Sequence, residues 1–338
     1  MPAAVYQADG SMPVEQLPIP TPGPGEVLVE VSHCGVCGTD LHLVLERYAR
    51  PGAVLGHEWS GTVVAAGNSD WSVGTEIVVN PKSGCGTCRP CLLGRPSVCL
   101  RRPPPDYFGF RGAFARYVTA PADRLLTLPD GLALRTAALA EPTAIAIHAA
   151  NLAGVAPGDR VLVTGGGPVG LLITAVLAAR GVRDITVSEP APARRERALE
   201  VGASQVVAPD SLEQAPMGRP VASPFTFAFE CSGVAPAAEA ALDQLDYAGT
   251  LVFVGTGRDW PRINHNRAIV LELTIIGAYN YDADGFGPAL ALLASGDLPV
   301  DRLVEPVDVS LRELRSTMDQ LAAGRLPGKV LVRPGADV

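Results

Sequence analysis

The chain has 338 residues, 47% of them apolar and 18% charged, enough for about two domains with a sizeable core and too apolar for a disordered protein. The net charge of -8 supplies no basic field to recruit phosphates, which argues against nucleic-acid and acidic-membrane partners. The first basic residue is Arg47, so no positive region precedes an apolar signal segment. The stretch Leu171–Ala179, nine residues with only Thr174 polar, is short of a membrane span. A soluble, cytoplasmic protein is expected.

In chain order, the first 120 residues are short apolar runs broken by Gly and Pro: Glu26–Ser32, Ser60–Ala66, Glu76–Asn80 and Phe114–Thr119. That punctuation predicts a β-rich domain. Pro18 to Gly25 forms a rigid lead-in, and Pro103-Pro-Pro105 closes a cysteine-rich lobe. From about residue 143 the rhythm changes. Arg160–Thr164 reads as a buried strand, followed by a glycine turn and an apolar helix to about Arg180. Asp184–Ser188 is the next strand, Ala191–Val201 the next helix, and Phe225–Phe229 and Thr250–Val254 are further strands. Strand and helix in this alternation predict a parallel α/β sheet. Helices near Gly287–Ala294 and Leu311–Gly324 and a strand at Lys329–Val332 complete the chain.

The glycine turn is Gly165-Gly-Gly167-Pro168-Val169-Gly170. A GxGxxG alone is a weak signal. Here it follows a strand and opens a helix, and an acidic residue, Glu189, lies nineteen residues after Gly170. The glycines admit a tight turn and close approach to a pyrophosphate at the helix N-terminus, and the carboxylate can accept both ribose hydroxyls. A carboxylate there repels a 2′-phosphate, so NAD is favoured. Arg194 and Arg195 keep NADP open.

Lysine occurs only at Lys82 and Lys329, and neither lies in a segment that otherwise reads as catalytic. Four of the seven cysteines crowd together as Cys85-x-x-Cys88-x-x-Cys91-x7-Cys99. Without a secretory signal such crowding favours metal over disulfides. Four thiolates can close a tetrahedral, structural zinc site. An iron–sulfur cluster is the rival, since the first three share the ferredoxin spacing. Cys34 and Cys231 read as small buried hydrophobes, and His33, His148 and His265, with no partner at ligand spacing, as structural.

Two further segments, Cys37-Gly-Thr-Asp-Leu-His42 and Gly56-His-Glu-Trp-Ser-Gly61, carry a thiolate, imidazoles and a carboxylate on what read as apolar strands. Together with the glycine turn and the cysteine lobe, they resemble the zinc-containing medium-chain alcohol dehydrogenase family, in its sorbitol- and threonine-dehydrogenase-like branch. The resemblance runs from Gly25-Glu-Val-Leu-Val29 to Gly328-Lys-Val-Leu-Val332. It implies an α/β protein: a GroES-like β-rich catalytic domain (residues 1–143 and 285–338, with the zinc lobe at 84–102) and a Rossmann doubly wound parallel sheet (144–284). The family's active site lies in the interdomain cleft.

Carried over by resemblance, Cys37 and His57 match ligands of a catalytic zinc. Glu58 matches an acidic neighbour that either ligates the ion or sits behind it. Glu141 matches a position where this branch places a carboxylate ligand; its other reading is a helix N-terminal charge. Thr39 and His42 match a proton relay, the other reading of His42 being a surface histidine. The resemblance thus implies two zinc ions per chain, a nicotinamide cofactor and a homodimer or homotetramer, joined through the strand region Leu273–Tyr279.

The substrate expected is a small alcohol or ketone: a polyol, cyclitol, sugar or amino-alcohol, or a less polar secondary alcohol. Asn280-Tyr281 stands where the branch tends to carry Arg-Tyr. Arg111 and Arg116 replace acidic residues common in the family, and Leu43, Val44, Leu45 and Tyr48 are expected near the cleft mouth. Two other readings are zinc-independent enoyl or quinone reduction and a non-catalytic cofactor-binding protein on the same fold.

Overall fold

A computed structural model describes residues 1–81, 84–101, 112–283 and 285–337. The chain forms two compact units. One comprises Met1–Glu141, Phe286–Ser295 and Val304–Val338, the other Pro142–Gly285 and Gly296–Leu303.

In the first unit, strands β1 (Pro2–Ala4) and β2 (Val14–Gln16) pair as a small antiparallel ribbon. The long β3 (Glu26–Gly35) leads into helix α1 (Gly38–Leu45) and then β4 (Glu58–Ala65) and β5 (Glu76–Val79). The cysteine lobe contributes the single turn α2 (Arg89–Leu92), followed by β6 (Tyr117–Pro121), β7 (Leu125–Thr127) and α3 (Leu134–Ala137). Helix α4 (Ala140–Ala153) begins at the boundary between the units.

The second unit follows as β8 (Arg160–Thr164), α5 (Pro168–Ala179), β9 (Asp184–Ser188), α6 (Pro192–Glu200) and β10 (Gln205–Val207). It continues through β11 (Phe225–Glu230), α7 (Ala235–Asp243), β12 (Leu245–Phe253), α8 (His265–Val270) and β13 (Thr274–Gly277). The chain closes with α9 (Phe286–Ser295), α10 (Val300–Leu303), α11 (Leu314–Ala322) and β14 (Leu331–Val332). The segment Gly296–Leu303, expected with the catalytic domain, groups with the second unit because α10 packs against α5 and α6.

The sheet of the first unit runs β14-β3-β4-β5-β7 and is antiparallel throughout. β3 also pairs with β6 over Glu26–Glu30, while β14 takes Cys34 and Gly35 at its other end. Val27, Val29, Val63, Ile77 and Phe114 are buried in one core cluster with Leu43 and Val44 of α1. Leu43 and Val44 are therefore core residues rather than pocket walls, whereas Tyr48 is exposed.

The second sheet is parallel, in the order β10-β9-β8-β11-β12-β13. The strand order reverses beside β8, the strand that the glycine turn follows, which is where doubly wound sheets bind ligands. Residues Gly170–Leu177 of α5 are all buried, as expected of a helix that is apolar all round. Gly170 packs so closely on the turn that a Cβ there would overlap the Gly165 carbonyl oxygen. Gly170→Ala should cost about 1–3 kcal/mol, because backbone cannot yield as a side-chain tip can. An unchanged urea midpoint would refute that packing role.

Candidate active site

β3 ends at Gly35, and Cys37 caps the helix that follows. The sequence alone read Cys37–His42 as strand. A helix forms instead because Asp40, in its first turn, accepts a hydrogen bond from the Cys37 N–H at 2.9 Å. The antiparallel register sets Glu58 opposite Gly35 and Trp59 opposite Cys34, so the start of β4 lies beside the end of β3. Cys37 sulfur, a His57 ring nitrogen and a Glu58 oxygen thereby come within 4.8 Å of one another. A thiolate, an imidazole and a carboxylate form a donor set that fits zinc.

Each member of this group has a charged neighbour. Asp40, fully buried, puts Oδ1 3.7 Å from His57 Nδ1. Burial works against a charged His57, but the Cys37 and Asp40 charges outweigh it and hold the imidazole well above its ordinary pKa. Glu58 is gripped by Lys329, whose Nζ donates to both carboxylate oxygens at 2.8 and 2.7 Å. The sequence reading set Lys329 aside, yet it stands beside this group. A lone cation in the apolar run Gly328-Lys-Val-Leu-Val332 was the available signal. Asp40 was also missed, and its only signal was its place between Thr39 and His42.

Glu141 lies in the first turn of α4, 4% exposed, where its charge acts on Lys329, but it is outside the group of three. Thr39 and His42 lie on α1; His42 keeps 41% of its side chain exposed and sets Nδ1 2.8 Å from Glu46 Oε1. Cys34 is buried, and burial together with the Asp40 and Glu58 charges pushes its thiol well up. His33 pairs with Asp308 at 3.2 Å and buried His148 lies 3.8 Å from Asp282, consistent with structural roles. Cys231 is only partly buried, and His265 opens α8. Arg116 is committed to Glu30 at 2.9 Å and stacks on Tyr117. Lys82, Arg111 and Pro103 to Pro105 lie outside the described residues.

The lobe cysteines Cys85, Cys88, Cys91 and Cys99 also converge within 4.8 Å. Cys88 sulfur is 3.4 Å from that of Cys91 and 3.8 Å from that of Cys99. Hydrogen bonds from the Thr87 hydroxyl and from backbone amides lower the Cys85 pKa, while burial and the neighbouring sulfurs raise that of Cys91.

In the second unit Gly167 caps α5, Pro168 occupies its first turn, and Val169 and Gly170 follow. A Cβ on Gly167 would meet nothing within 4 Å, so the helix N-terminus is open to an anion there. Glu189, at the end of β9, accepts from the Gly166 N–H at 2.7 Å and the Ala191 N–H at 2.9 Å. Each oxygen retains a further lone pair for a ribose hydroxyl. The Arg195 guanidinium donates to the carbonyls of Glu189 and Pro190 at 2.7 and 2.8 Å. The Arg194 side chain starts beside the same turn, its Cβ 3.5 Å from where a Cβ on Gly166 would lie.

Two family models match the chain: the alcohol dehydrogenase GroES-like domain over residues 23–130 and zinc-binding dehydrogenase over residues 168–295. Sorbitol dehydrogenase of Ovis aries is 32% identical over 315 residues, covering 89% of this chain and 87% of the relative. L-threonine 3-dehydrogenase of Stenotrophomonas maltophilia is 34% identical over 284 residues, covering 79% and 80%. The chain belongs to the zinc-containing medium-chain alcohol dehydrogenase family. Among solved structures of such dehydrogenases, 2R,3R-butanediol dehydrogenase from Bacillus subtilis superposes with a TM-score of 0.85, at 29% identity and with 98% and 99% of the two chains covered. This medium-chain dehydrogenase is accordingly a zinc-dependent oxidoreductase using a nicotinamide cofactor. No helix among the described residues is long and apolar enough to cross a membrane.

In this dehydrogenase Asp40→Asn keeps a hydrogen-bond acceptor near the Cys37 amide but removes the charge beside His57. Outer partners of metal ligands are worth about 10–100-fold in affinity, and zinc affinity at the group of three should fall by that factor. Chelator competition would measure it, and an unchanged affinity would leave Asp40 as a helix cap only.

Proposed function

We propose that the protein oxidises a secondary alcohol carrying a neighbouring hydroxyl or amine, or reduces the matching ketone, at a zinc ion held by Cys37 and His57. The observation that carries this reading is the convergence of Cys37, His57 and Glu58 from separate elements of one unit. Glu141 is assigned as a further ligand on the family resemblance and on its burial near Lys329. A second, structural zinc is assigned to Cys85, Cys88, Cys91 and Cys99, whose four thiolates leave no open position.

Zinc held by the first group would supply a Lewis acid that lowers the pKa of an alcohol, and a nicotinamide held by the second unit would supply the hydride acceptor. The chain's own part is to orient and to move the proton. The Thr39 hydroxyl takes the proton and passes it toward His42. Glu46 engages His42 Nδ1, which leaves Nε2 to receive a proton, and the ring's exposure lets water carry it away. Gly165, Gly167 and Gly170 would cradle the pyrophosphate, and Glu189 would hold the adenosine ribose, which favours NAD over NADP.

The substrate class rests on the relatives: sorbitol, threonine and 2,3-butanediol all place a heteroatom on the carbon next to the carbinol. Less polar alcohols are the second reading, supported by Asn280, which stands where the branch tends to carry an arginine. A turnover screen of polyols, cyclitols, amino-alcohols and simple secondary alcohols with NAD and NADP tests both. No turnover on any alcohol would leave the cofactor-binding reading.

Assembly as a homo-oligomer is proposed through β13, an edge strand of the parallel sheet with Ile275 exposed; unpaired edges invite pairing with a second copy. A reducing, cytoplasmic location suits seven free cysteines.

Purified protein should hold two zinc ions per chain, one for each group. Cys88→Ser should destabilise or unfold the lobe, because the binding energy of a structural ion is folding energy. Iron in the lobe, or full stability without metal, would end that assignment. Glu141→Gln should lower catalytic zinc retention and turnover while the lobe keeps its ion. If Glu141 is only a helix-end charge, the change should cost about 0.3–1 kcal/mol of stability and leave zinc retention and turnover intact.

A further inference from the structure

The cysteine lobe carries an apolar surface that a structural ion does not need. Leu92 and Leu93 at α2, with Val98 and Leu100 just beyond it, are 73%, 68%, 46% and 75% exposed. Four large apolar side chains so close in sequence make a patch, unlike the single exposed residues usual on a surface. The two leucines are held on tight turns. Leu92 N–H donates to the Cys88 carbonyl at 3.0 Å, Leu93 N–H to that of Arg89 at 3.1 Å, and Arg95 N–H to that of Pro90 at 2.8 Å. Charge marks the same lobe. From Ile77 to Pro105 the chain has five basic residues and no acidic one, although its net charge is -8. Arg89, Arg95 and Arg101 lie in the described part of the lobe, all exposed.

Elsewhere on the first unit, the segment before β14 and helix α11 enclose a groove of about 330 Å³. Its apolar lining includes Val307, which is 74% exposed, with Val309, Leu326 and buried Val330. The charged side chains on that lining, among the described residues, are two carboxylates, Glu305 and Glu313. Both are fixed in place: Glu305 accepts from the Gly328 N–H at 2.6 Å, and Glu313 from the Ser310 N–H and hydroxyl at 2.8 Å. An apolar knob rimmed by arginines is complementary to an apolar groove rimmed by carboxylates. Two lobes set face to face would instead bring arginine against arginine. We infer that the cysteine lobe of one copy docks, through Leu92 and Leu93, in the groove beside α11 of a second copy of this chain. The leucines fill the groove, and the lobe arginines meet Glu305 and Glu313 at its rim. Lobe and groove are different surfaces of the first unit, so this contact is separate from the β13 edge of the second unit.

The test uses the full-length, zinc-loaded protein in a sedimentation dilution series, together with cross-linking from a photoreactive phenylalanine derivative in place of Leu93. Cross-links should reach residues 305–330 of another copy. Leu93→Asp on the lobe and Val307→Asp in the groove should each weaken association by about tenfold or more, the scale of losing an apolar anchor. Zinc content and melting temperature should not change, because both positions are exposed. Val307 lies outside the lobe, so its variant separates lost docking from a damaged zinc site. Raising the salt concentration should also weaken the contact, since its rim is charged. If β13 joins copies too, each variant reduces a larger assembly to the β13 dimer; if it does not, each leaves monomers. Either result supports the docking contact. A wild-type chain that stays monomeric throughout the dilution series would overturn it. So would cross-links confined to the same chain, to another lobe or to the β13 edge, and so would association that Val307→Asp leaves unchanged.

Discussion

A buried carboxylate needs a counter-charge, and here the counter-charge comes from the far end of the chain. Glu58 opens β4 and Lys329 precedes β14, 271 positions apart in sequence. Removing one partner of such a pair costs about 3–5 kcal/mol, so closure of the first sheet and charge balance at the metal group are one requirement. β3 satisfies both by pairing with β4 along one edge while β6 and β14 share the other. The parallel sheet of the second unit is inserted in sequence between these two ends. The counter-charge of Glu58 is thus supplied by a residue that follows that insertion.

The same logic separates the two candidate metal groups. In the lobe, four thiols converge within 15 residues of sequence, closed by local turns and a single helical turn. Such a site needs little from the rest of the fold, and its ion contributes directly to folding. The group of Cys37, His57 and Glu58 is set by sheet register, a helix cap and a distant lysine. Asp40 lies beside His57 and Lys329 holds Glu58, a preorganisation that suits chemistry more than stability.

Legibility from sequence follows the same division. β8 and β9 were readable to the residue, because a buried run of branched residues bounded by Asp and Gly has few alternatives. The glycine turn and the lobe were readable because their chemistry is local. Helix α1 was not, since Cys37–His42 carries no helical apolar period and its start depends on the Asp40 side chain. Helix α4 is illegible for a related reason: it is alanine-rich, and its few polar residues, Glu141, Thr143, His148 and Asn151, mark no amphipathic stripe. Lys329 was unreadable as a functional residue because only strand pairing across the whole chain shows which carboxylate it meets.

Lysine at that position also has a chemical consequence. An ammonium offers three donors from one point, which here serve one carboxylate and one carbonyl. A guanidinium would present its donors as a flat fork, suited to gripping Glu58 in bidentate fashion rather than to serving a carboxylate and a carbonyl from one point. The contact with Val36 locates the charge at the turn between β3 and Cys37, one peptide from the thiolate. A single cation thus balances Glu58 through contact, and its field also reaches Cys37 and Glu141. Three potential anions around one ion would otherwise repel one another strongly at low dielectric. Lys329 lets Glu58 keep its charge in a buried position.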